Sequence, residues 1–240
     1  MAGATRMLKF CGWILLQDLR NVVPLCGWLL SIIAVKSLRG RRTRIRVLGK
    51  KMGCRMAHMG TIKESIFDDG YSTDGIDGDV LDCGANVGFS RLAIERQMKS
   101  GRYVCVEPDP ANVGLLRKNY PEAAIAPVAV TGKNGTVTFT TSKTGITGRL
   151  SEKGTPGITV EGKTIDTLTR EFKLVPALIK IDVEGTEYDA LLGAKATLKL
   201  KPRLLIEIHA QYDVAKIETL LKQQGYAGTY KGNNIWQFTA

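Results

Sequence analysis

The chain has 240 residues, of which 44% are hydrophobic and 24% are charged, and this composition is ordinary for one globular domain with an appendage. Its formal charge of +11 arises in the first 60 residues, which hold twelve of the 34 Lys and Arg residues but only one of the 23 acidic residues. The remaining residues are close to neutral, so we do not expect a broad nucleic-acid-binding surface. The five cysteines form no C-x-x-C pair, and we therefore predict a cytoplasmic protein without a zinc site or disulfide framework.

Residues 1–51 form the first predicted domain, a helical and basic extension. Two apolar runs are followed by a cluster of basic side chains, which comprises Lys36, Arg39, Arg41, Arg42, Arg44 and Arg46. The longer apolar run, residues 22–35, is shorter than the roughly 20 residues that span a bilayer. Three interpretations of this segment stay open. It could pack as a cap on the next domain or on a second subunit, or it could bind nucleic acid as a basic arm. Residues 1–50 could also attach the protein peripherally to the anionic inner face of a membrane.

The second predicted domain, residues 52–240, contains a short apolar strand that ends in a turn spaced by Gly84 and Gly88. A second apolar strand ends in Glu107. Glycines after the first strand and an acidic residue after the second are typical of a sheet that binds an adenosine-containing cofactor. The glycines let the backbone approach the ligand, and the carboxylate can accept hydrogen bonds from both ribose hydroxyls.

The residue that ends the first strand, Asp82, distinguishes between cofactors. A carboxylate at this point would repel the pyrophosphate of a dinucleotide, and the turn lacks the G-x-G-x-x-G spacing that a pyrophosphate requires. The same carboxylate suits a ligand with an ammonium group and a sulfonium cation. We therefore predict S-adenosylmethionine as the cofactor.

The remaining pattern predicts an α/β sheet. Strands alternate with amphipathic helices, and the chain ends in a hairpin. The predicted strands beyond the first two cover residues 123–127, 177–182, 203–208, 227–230 and 235–238, with an antiparallel excursion of short strands between residues 136 and 161. This plan resembles that of class I methyltransferases, and the resemblance implies a Rossmann-like, mostly parallel sheet of strand order 3-2-1-4-5-7-6 with an antiparallel C-terminal hairpin.

Charged residues end the two strands after the excursion. Lys180, Asp182 and Glu184 lie at the end of one strand, and Glu207 and His209 lie at the end of the next. Ligands of open parallel sheets bind at the carboxyl ends of strands, and buried charges are costly unless they are paired or used. We expect a second half of the site here, although a buried pair of Lys180 with a carboxylate is an equally good explanation of that lysine.

The assembled motifs resemble FkbM-type S-adenosylmethionine-dependent methyltransferases. The resemblance covers about residues 64–210, and the matching pieces are residues 82–88, 106–108, 129–130 with the Gly135 strand, 164–168, 180–187 and 207–209. The Asp-Val-Glu-Gly sequence of residues 182–185 is the most particular of them. The basic extension lies outside the resemblance.

The resemblance implies O-methylation of a hydroxyl group on a sugar, a glycan or a secondary metabolite. It also implies the roles of individual residues. Glu107 would bind the ribose, and the segment 128–130 would flank the adenine through Ala129 and Val130. The residues expected around the methionine end of the cofactor are Asp82, Gly84, Asn86 and Gly88, and Asp182 is a further cofactor-binding candidate.

The catalytic candidates are Lys180, Asp182, Glu207 and His209. Either His209 or Asp182 would act as general base, because a hydroxyl must lose its proton when it accepts the methyl group. Asp182, Glu184 and Glu207 have oxygen ligands for a divalent cation, but we do not expect metal dependence.

Two alternatives stay open. The first is an RNA ribose 2'-O-methyltransferase, because Lys180, Asp182 and Glu207 resemble part of a Lys-Asp-Lys-Glu set. A clear second lysine is missing, so a nucleic-acid partner is not expected. The second is a non-catalytic scaffold recruited to a membrane by residues 1–50. Homo-oligomer formation also stays open.

Overall fold

The computed structural model describes residues 42–55, 58, 62, 70–73, 75–141, 148–150, 156–209 and 211–240. In chain order its strands are β1 (Arg42–Val47), β2 (Lys50–Arg55), β3 (Ile76–Asp77), β4 (Asp79–Cys83), β5 (Met98–Ser100), β6 (Tyr103–Val106), β7 (Ala124–Ala126), β8 (Ala129–Val130), β9 (Gly135–Thr140), β10 (Arg149–Leu150), β11 (Ile158–Lys163), β12 (Pro176–Ile181), β13 (Arg203–Glu207), β14 (Ala227–Gly232) and β15 (Ile235–Thr239). The α-helices are α1 (Phe89–Glu95), α2 (Pro110–Asn119), α3 (Ile165–Glu171), α4 (Glu187–Leu192) and α5 (Gln211–Gln223).

The central sheet has seven strands in the order β7-β6-β4-β12-β13-β15-β14. Neighbouring strands from β7 to β13 are parallel, and β15 is antiparallel to both β13 and β14. Numbered along the chain, this is the predicted order 3-2-1-4-5-7-6, so the predicted fold class is confirmed. The strand order reverses between β4 and β12, which is where an open α/β sheet binds its ligand.

Helices cover both faces of the sheet, because its inner strands have apolar side chains on both faces that must be buried. Alternate residues point to opposite faces, so Ile179 packs in a cluster with side chains of α3, α4 and α5. Its neighbour Leu178 packs in a second cluster with side chains of α1 and α2. Both residues have no exposed surface. The two clusters fix the sheet between its helical layers and so fix the positions of the strand ends.

A four-stranded sheet of order β10-β9-β11-β8 stands beside the central sheet. Its β9–β10 and β9–β11 pairings are antiparallel, as predicted for the excursion, whereas β8 pairs with β11 in parallel. Because β8 follows β7 after two residues, this pairing brings the excursion back to the edge of the central sheet.

Residues 42–55 form an antiparallel hairpin, whereas the sequence analysis assigned residues 1–51 to a helical extension. The alternation of basic and apolar residues here has the period of a strand. Met52 and Cys54 are fully buried, while Arg44 and Arg46 are exposed. The turn lies at Leu48 and Gly49, which have positive φ angles of 47° and 81°, as a tight hairpin requires.

The hairpin is attached to α2. The side chain of Asn119 accepts a hydrogen bond from the Gly53 amide at 2.7 Å and donates one to the Gly53 carbonyl at 2.9 Å. The hairpin therefore crosses the boundary predicted between residues 51 and 52. The predicted apolar runs lie within residues 1–41, outside the described residues. Within the described part of the chain, no helix has both the length and the apolar character needed to cross a bilayer.

Candidate active site

A cleft of about 570 Å³ opens at the carboxyl ends of β4, β6 and β12 and extends to the four-stranded sheet. This volume includes open solvent at the mouth of the cleft. The residues that line it are Gly84, Asn86, Val106, Glu107, Pro108, Asp109, Asn112, Val128, Ala129, Val130, Phe139, Gly148, Leu150, Asp182, Val183, Glu184 and Thr186.

The turn at the end of β4 approaches the end of β12 so closely that only glycine fits. Gly84 has a φ of 85°, and a Cβ atom placed there would overlap the backbone carbonyl oxygen of Asp182. The amide of Asp182 donates a hydrogen bond to the Cys83 carbonyl at 3.0 Å. The two strand ends are thereby joined, and their residues form one continuous wall of the cleft.

Glu107, which follows β6, is a buried carboxylate at the edge of the cleft. Its two oxygens accept hydrogen bonds from the backbone amides of Asn86 and Asp109, each at 2.9 Å. Burial raises the pKa of Glu107 to about 7, and the two amide hydrogen bonds oppose the shift without cancelling it. The side chain of Asn112 also hydrogen-bonds this carboxylate, whose two oxygens have about four lone-pair sites, so capacity remains for a hydroxyl group of a ligand in the cleft.

Lys180 lies behind the wall of the cleft and is 1% exposed. Its ammonium group lies 3.2 Å from Asp82 and 3.1 Å from Asp182, and it donates a hydrogen bond to the Gly84 carbonyl at 2.7 Å. Neither Lys180 nor Asp82 is among the residues that line the cleft. Their positions indicate that they support the turn and orient Asp182. Because Lys180 is buried behind the wall, it does not contact an acceptor in the cleft, as the lysine of a Lys-Asp-Lys-Glu set would have to do.

Asp82 is fully buried and has two further donors. Ser90 donates a hydrogen bond to its Oδ2 atom at 2.7 Å, and the hydroxyl of Tyr103 donates another to the same atom at 2.9 Å. The carboxylate that the sequence analysis assigned to the methionine end of the cofactor is therefore occupied by protein groups, and it acts on the cleft through Lys180.

Gly88 is also absent from the lining of the cleft. It precedes α1 with a φ of 94°, and a Cβ atom there would lie 2.5 Å from the ring of Tyr120. The Tyr120 hydroxyl donates a hydrogen bond to the Gly88 carbonyl at 2.9 Å. Close packing of α1 on α2 explains this glycine.

An acidic cluster lies beside the cleft, where β12 and β13 end. His209 Nδ1 lies 2.9 Å from Glu187, which has no exposed surface. Its Nε2 atom lies 3.8 Å from Asp182, 3.6 Å from Glu184 and 3.5 Å from Glu207. One imidazole is thus surrounded by four carboxylates, two of which, Asp182 and Glu184, line the cleft.

The charges of this cluster shift each other's pKa values. Burial lowers the pKa of His209, but the hydrogen bond to Glu187 and the charges of Asp182 and Glu184 outweigh it and raise that pKa to about 9. Burial raises the pKa of Glu184 to about 7, against the opposing effect of His209. Glu184 also has a φ of 56°, a strained angle for a residue with a side chain, and such strain is concentrated at functional sites.

The structure thus brings six predicted cofactor residues to the cleft wall: Gly84, Asn86, Glu107, Ala129, Val130 and Asp182. The sequence analysis missed Phe139 and Leu150, which reach the cleft from β9 and β10. Phe139 is the one aromatic side chain in a stretch of threonines and is 4% exposed, a pattern that marks a buried position but not the cavity beside it.

Comparison with known proteins shows which family the chain belongs to. The chain is 27% identical over 158 residues to the hexuronic acid methyltransferase AglP of Haloferax volcanii, and the match spans 60% of this chain and 62% of that protein's length. Among solved structures, a precorrin-6y C5,15-methyltransferase from Geobacter metallireducens has 13% identity and a TM-score of 0.41, covering 77% of this chain and 86% of its own. An rRNA methylase from Streptococcus thermophilus has 11% identity and a TM-score of 0.43, covering 77% and 94%. The model of the methyltransferase FkbM domain matches residues 82–227, more than half of the chain, and the protein therefore belongs to the FkbM methyltransferase family.

Proposed function

We propose that the protein is an S-adenosylmethionine-dependent O-methyltransferase that acts on a hydroxyl group of a sugar or glycan. The observation that carries the proposal is the position of the buried Glu107 carboxylate beside the Gly84 turn, in a cleft that continues into the acidic cluster. The name of the Haloferax volcanii relative, a hexuronic acid methyltransferase, supports a sugar acceptor.

The residues of the cleft fit S-adenosylmethionine at both of its ends. Glu107 offers acceptor lone pairs to a ribose diol, and the apolar side chains of Val128, Val130 and Leu150 suit an adenine ring. At the other end, the Asp182 carboxylate suits the positive charges of the methionine part. When bound, the cofactor supplies an activated methyl group, and the protein's main task is to align the acceptor oxygen with it.

Four carboxylates line the cleft, and two of them, Asp182 and Glu184, belong to the acidic cluster at the acceptor end and could accept the proton of the acceptor hydroxyl. Asp182 is already paired with the Lys180 ammonium at 3.1 Å, so we assign the proton to Glu184. His209, the other base suggested by the sequence, does not line the cleft. Its hydrogen bond to Glu187 and its distance of 3.6 Å from Glu184 suit it to orient and stabilise the carboxylates.

Calorimetry with S-adenosylhomocysteine tests the cofactor assignment. The wild-type protein is expected to bind it, and Glu107→Ala is expected to weaken binding at least tenfold, because the ribose loses its charged acceptor. Glu161→Ala, which removes a carboxylate from the surface of β11, is the matched control and should leave affinity unchanged. A folded wild-type protein that binds neither the cofactor nor its demethylated product would refute the proposal.

Transfer of a radiolabelled methyl group to a panel of neutral sugars, uronic acids and oligosaccharides tests the acceptor class. Incorporation of label into a sugar hydroxyl supports the proposal. Labelling of RNA in its place, with sugars unlabelled, would favour the ribose-methylating alternative.

A further inference from the structure

The acidic cluster contains a set of atoms whose spacing fits a metal ion. One ligand atom from each of Asp182, Glu207 and His209 lies within 4.8 Å of the others. His209 Nε2 lies 3.8 Å from Asp182 Oδ1 and 3.5 Å from Glu207 Oε1. Adjacent ligands of an octahedral ion with bonds of about 2.1 Å are separated by about 3 Å, and opposite ligands by about 4.2 Å. The observed separations fall between these two values, so a small shift of the side chains would bring the three atoms to an ion.

The histidine is held in the way that ligating histidines are held. Its Nδ1 atom lies 2.9 Å from Glu187 Oε1, which also accepts a hydrogen bond from the Gly185 amide at 2.9 Å. A carboxylate on the far nitrogen fixes the ring and directs the other nitrogen toward a metal. The Glu187 side chain has no exposed surface, and within the described residues its Oε2 atom is buried and has no hydrogen-bond partner. Burial of a carboxylate oxygen without a hydrogen bond destabilises the fold unless strong positive charge lies nearby.

The balance of charge points the same way. Among the described residues, four carboxylates surround His209, and Lys180, which Asp82 shares, pairs with one of them, Asp182. Negative charge therefore exceeds positive charge at the place where the acceptor would bind. An anionic sugar would be repelled from this surface, whereas a divalent cation at its centre would remove the repulsion.

We propose that Asp182, Glu207 and His209 bind a divalent cation at the acceptor side of the cleft, with Glu187 as the residue that positions His209. The ion takes the place of the Nε2 proton, so His209 binds it as a neutral imidazole that donates its Nδ1 proton to Glu187. Asp182 lines the cleft, so an ion held by these residues would lie at its edge, where it would lower the pKa of an acceptor hydroxyl. The inference rests on the proposed function, since the ion would act on the acceptor of the same reaction. Mixed nitrogen and oxygen ligands suit Mn²⁺, which serves as the probe.

Titration of the full-length, chelator-treated protein with Mn²⁺, followed by calorimetry and by the loss of the free-ion electron paramagnetic resonance signal, tests the site. One ion per chain is expected. Glu207→Gln and His209→Gln should each weaken binding at least tenfold, and Glu187→Gln should weaken it by about 10–100-fold, as the loss of a carboxylate behind a ligating histidine does. Glu161→Gln is the control carboxylate and should bind as the wild type does.

Binding of S-adenosylhomocysteine by each variant shows that the fold and the cofactor half of the cleft are intact. Wild-type protein that binds S-adenosylhomocysteine but not Mn²⁺ would overturn the metal site and leave the proposed function standing. Mn²⁺ binding that is unchanged in both Glu207→Gln and His209→Gln would also overturn it. Failure to bind S-adenosylhomocysteine, with Mn²⁺ bound as expected, would count against the proposed function alone.

Discussion

Replacement of Lys180 by methionine tests how the cleft is supported. Burial lowers the pKa of Lys180, but Asp182 and Asp82 outweigh it and raise that pKa well above its usual value, so the ammonium is charged throughout the range in which the protein is folded. The methionine side chain has a similar length and no charge. The substitution removes the ion pairs with Asp82 at 3.2 Å and with Asp182 at 3.1 Å. It also removes the hydrogen bond to the Gly84 carbonyl at 2.7 Å.

The cost of this change follows from what is left behind. Asp82 has no exposed surface, and without Lys180 the partners that remain for its charge within the described part of the chain are the hydroxyls of Ser90 and Tyr103. Loss of one partner from a buried pair costs about 3–5 kcal/mol, a large part of a total stability of about 5–15 kcal/mol. A second substitution, Asp82→Asn, removes the stranded charge, and the double variant should regain at least half of the lost free energy of unfolding.

Urea unfolding followed by circular dichroism measures these free energies. Lys163→Met is the matched control, because its ammonium pairs with Glu171 at 2.8 Å on the surface, and such pairs contribute about 0–1 kcal/mol. A loss below about 1 kcal/mol for Lys180→Met would refute the reasoning. A double variant no more stable than Lys180→Met would refute it as well, since the penalty is assigned to the charge of Asp82.

Three further outcomes are expected at the cleft. The affinity of the wild type for S-adenosylhomocysteine, measured by calorimetry, should rise from pH 6 to pH 8, because the ionised carboxylate of Glu107 is the better hydrogen-bond acceptor. The rise should reach up to about tenfold per pH unit below the pKa of Glu107, which is about 7. The affinity of Glu107→Gln should not change over this pH range. Gly84→Ala should abolish S-adenosylhomocysteine binding and lower the melting temperature, because the added methyl group would overlap the Asp182 carbonyl. Gly114→Ala, in the open middle of α2, should be tolerated. Equal affinities and equal melting temperatures of the two variants, measured by calorimetry and thermal unfolding, would contradict this prediction. Glu184→Gln should reduce turnover by about 10²–10⁴-fold with S-adenosylhomocysteine affinity retained, and near-normal turnover would remove it as the proton acceptor.

The sequence was sufficient to predict the sheet, because strand and helix periods are local and the resemblance to methyltransferases implied the strand order. Glu107 was also predictable as a cleft residue, since it ends the strand next to the turn. The roles of Asp82 and Gly88 were not. A short motif shows which residues surround a turn but not whether a side chain faces the ligand or the protein behind it.

Other features depend on contacts between distant parts of the chain. Phe139 and Leu150 line the cleft because β8 pairs with β11 and carries the excursion back to the sheet, and no local pattern records that pairing. The hairpin of residues 42–55 was missed because its arginines were interpreted as part of a basic helix. Its alternation of exposed and buried residues was present in the sequence, and a test for the period of a strand could have found it.

The contact of Gly84 with the end of β12 has a consequence for enzyme engineering. If the protein has the proposed function, the cofactor end and the acceptor end of the cleft share one backbone junction, and a change of shape on one side would be transmitted to the other. Exchanges meant to alter acceptor specificity are therefore best kept away from Gly84 and the backbone of Asp182, because they would disturb the proposed cofactor end of the cleft as well.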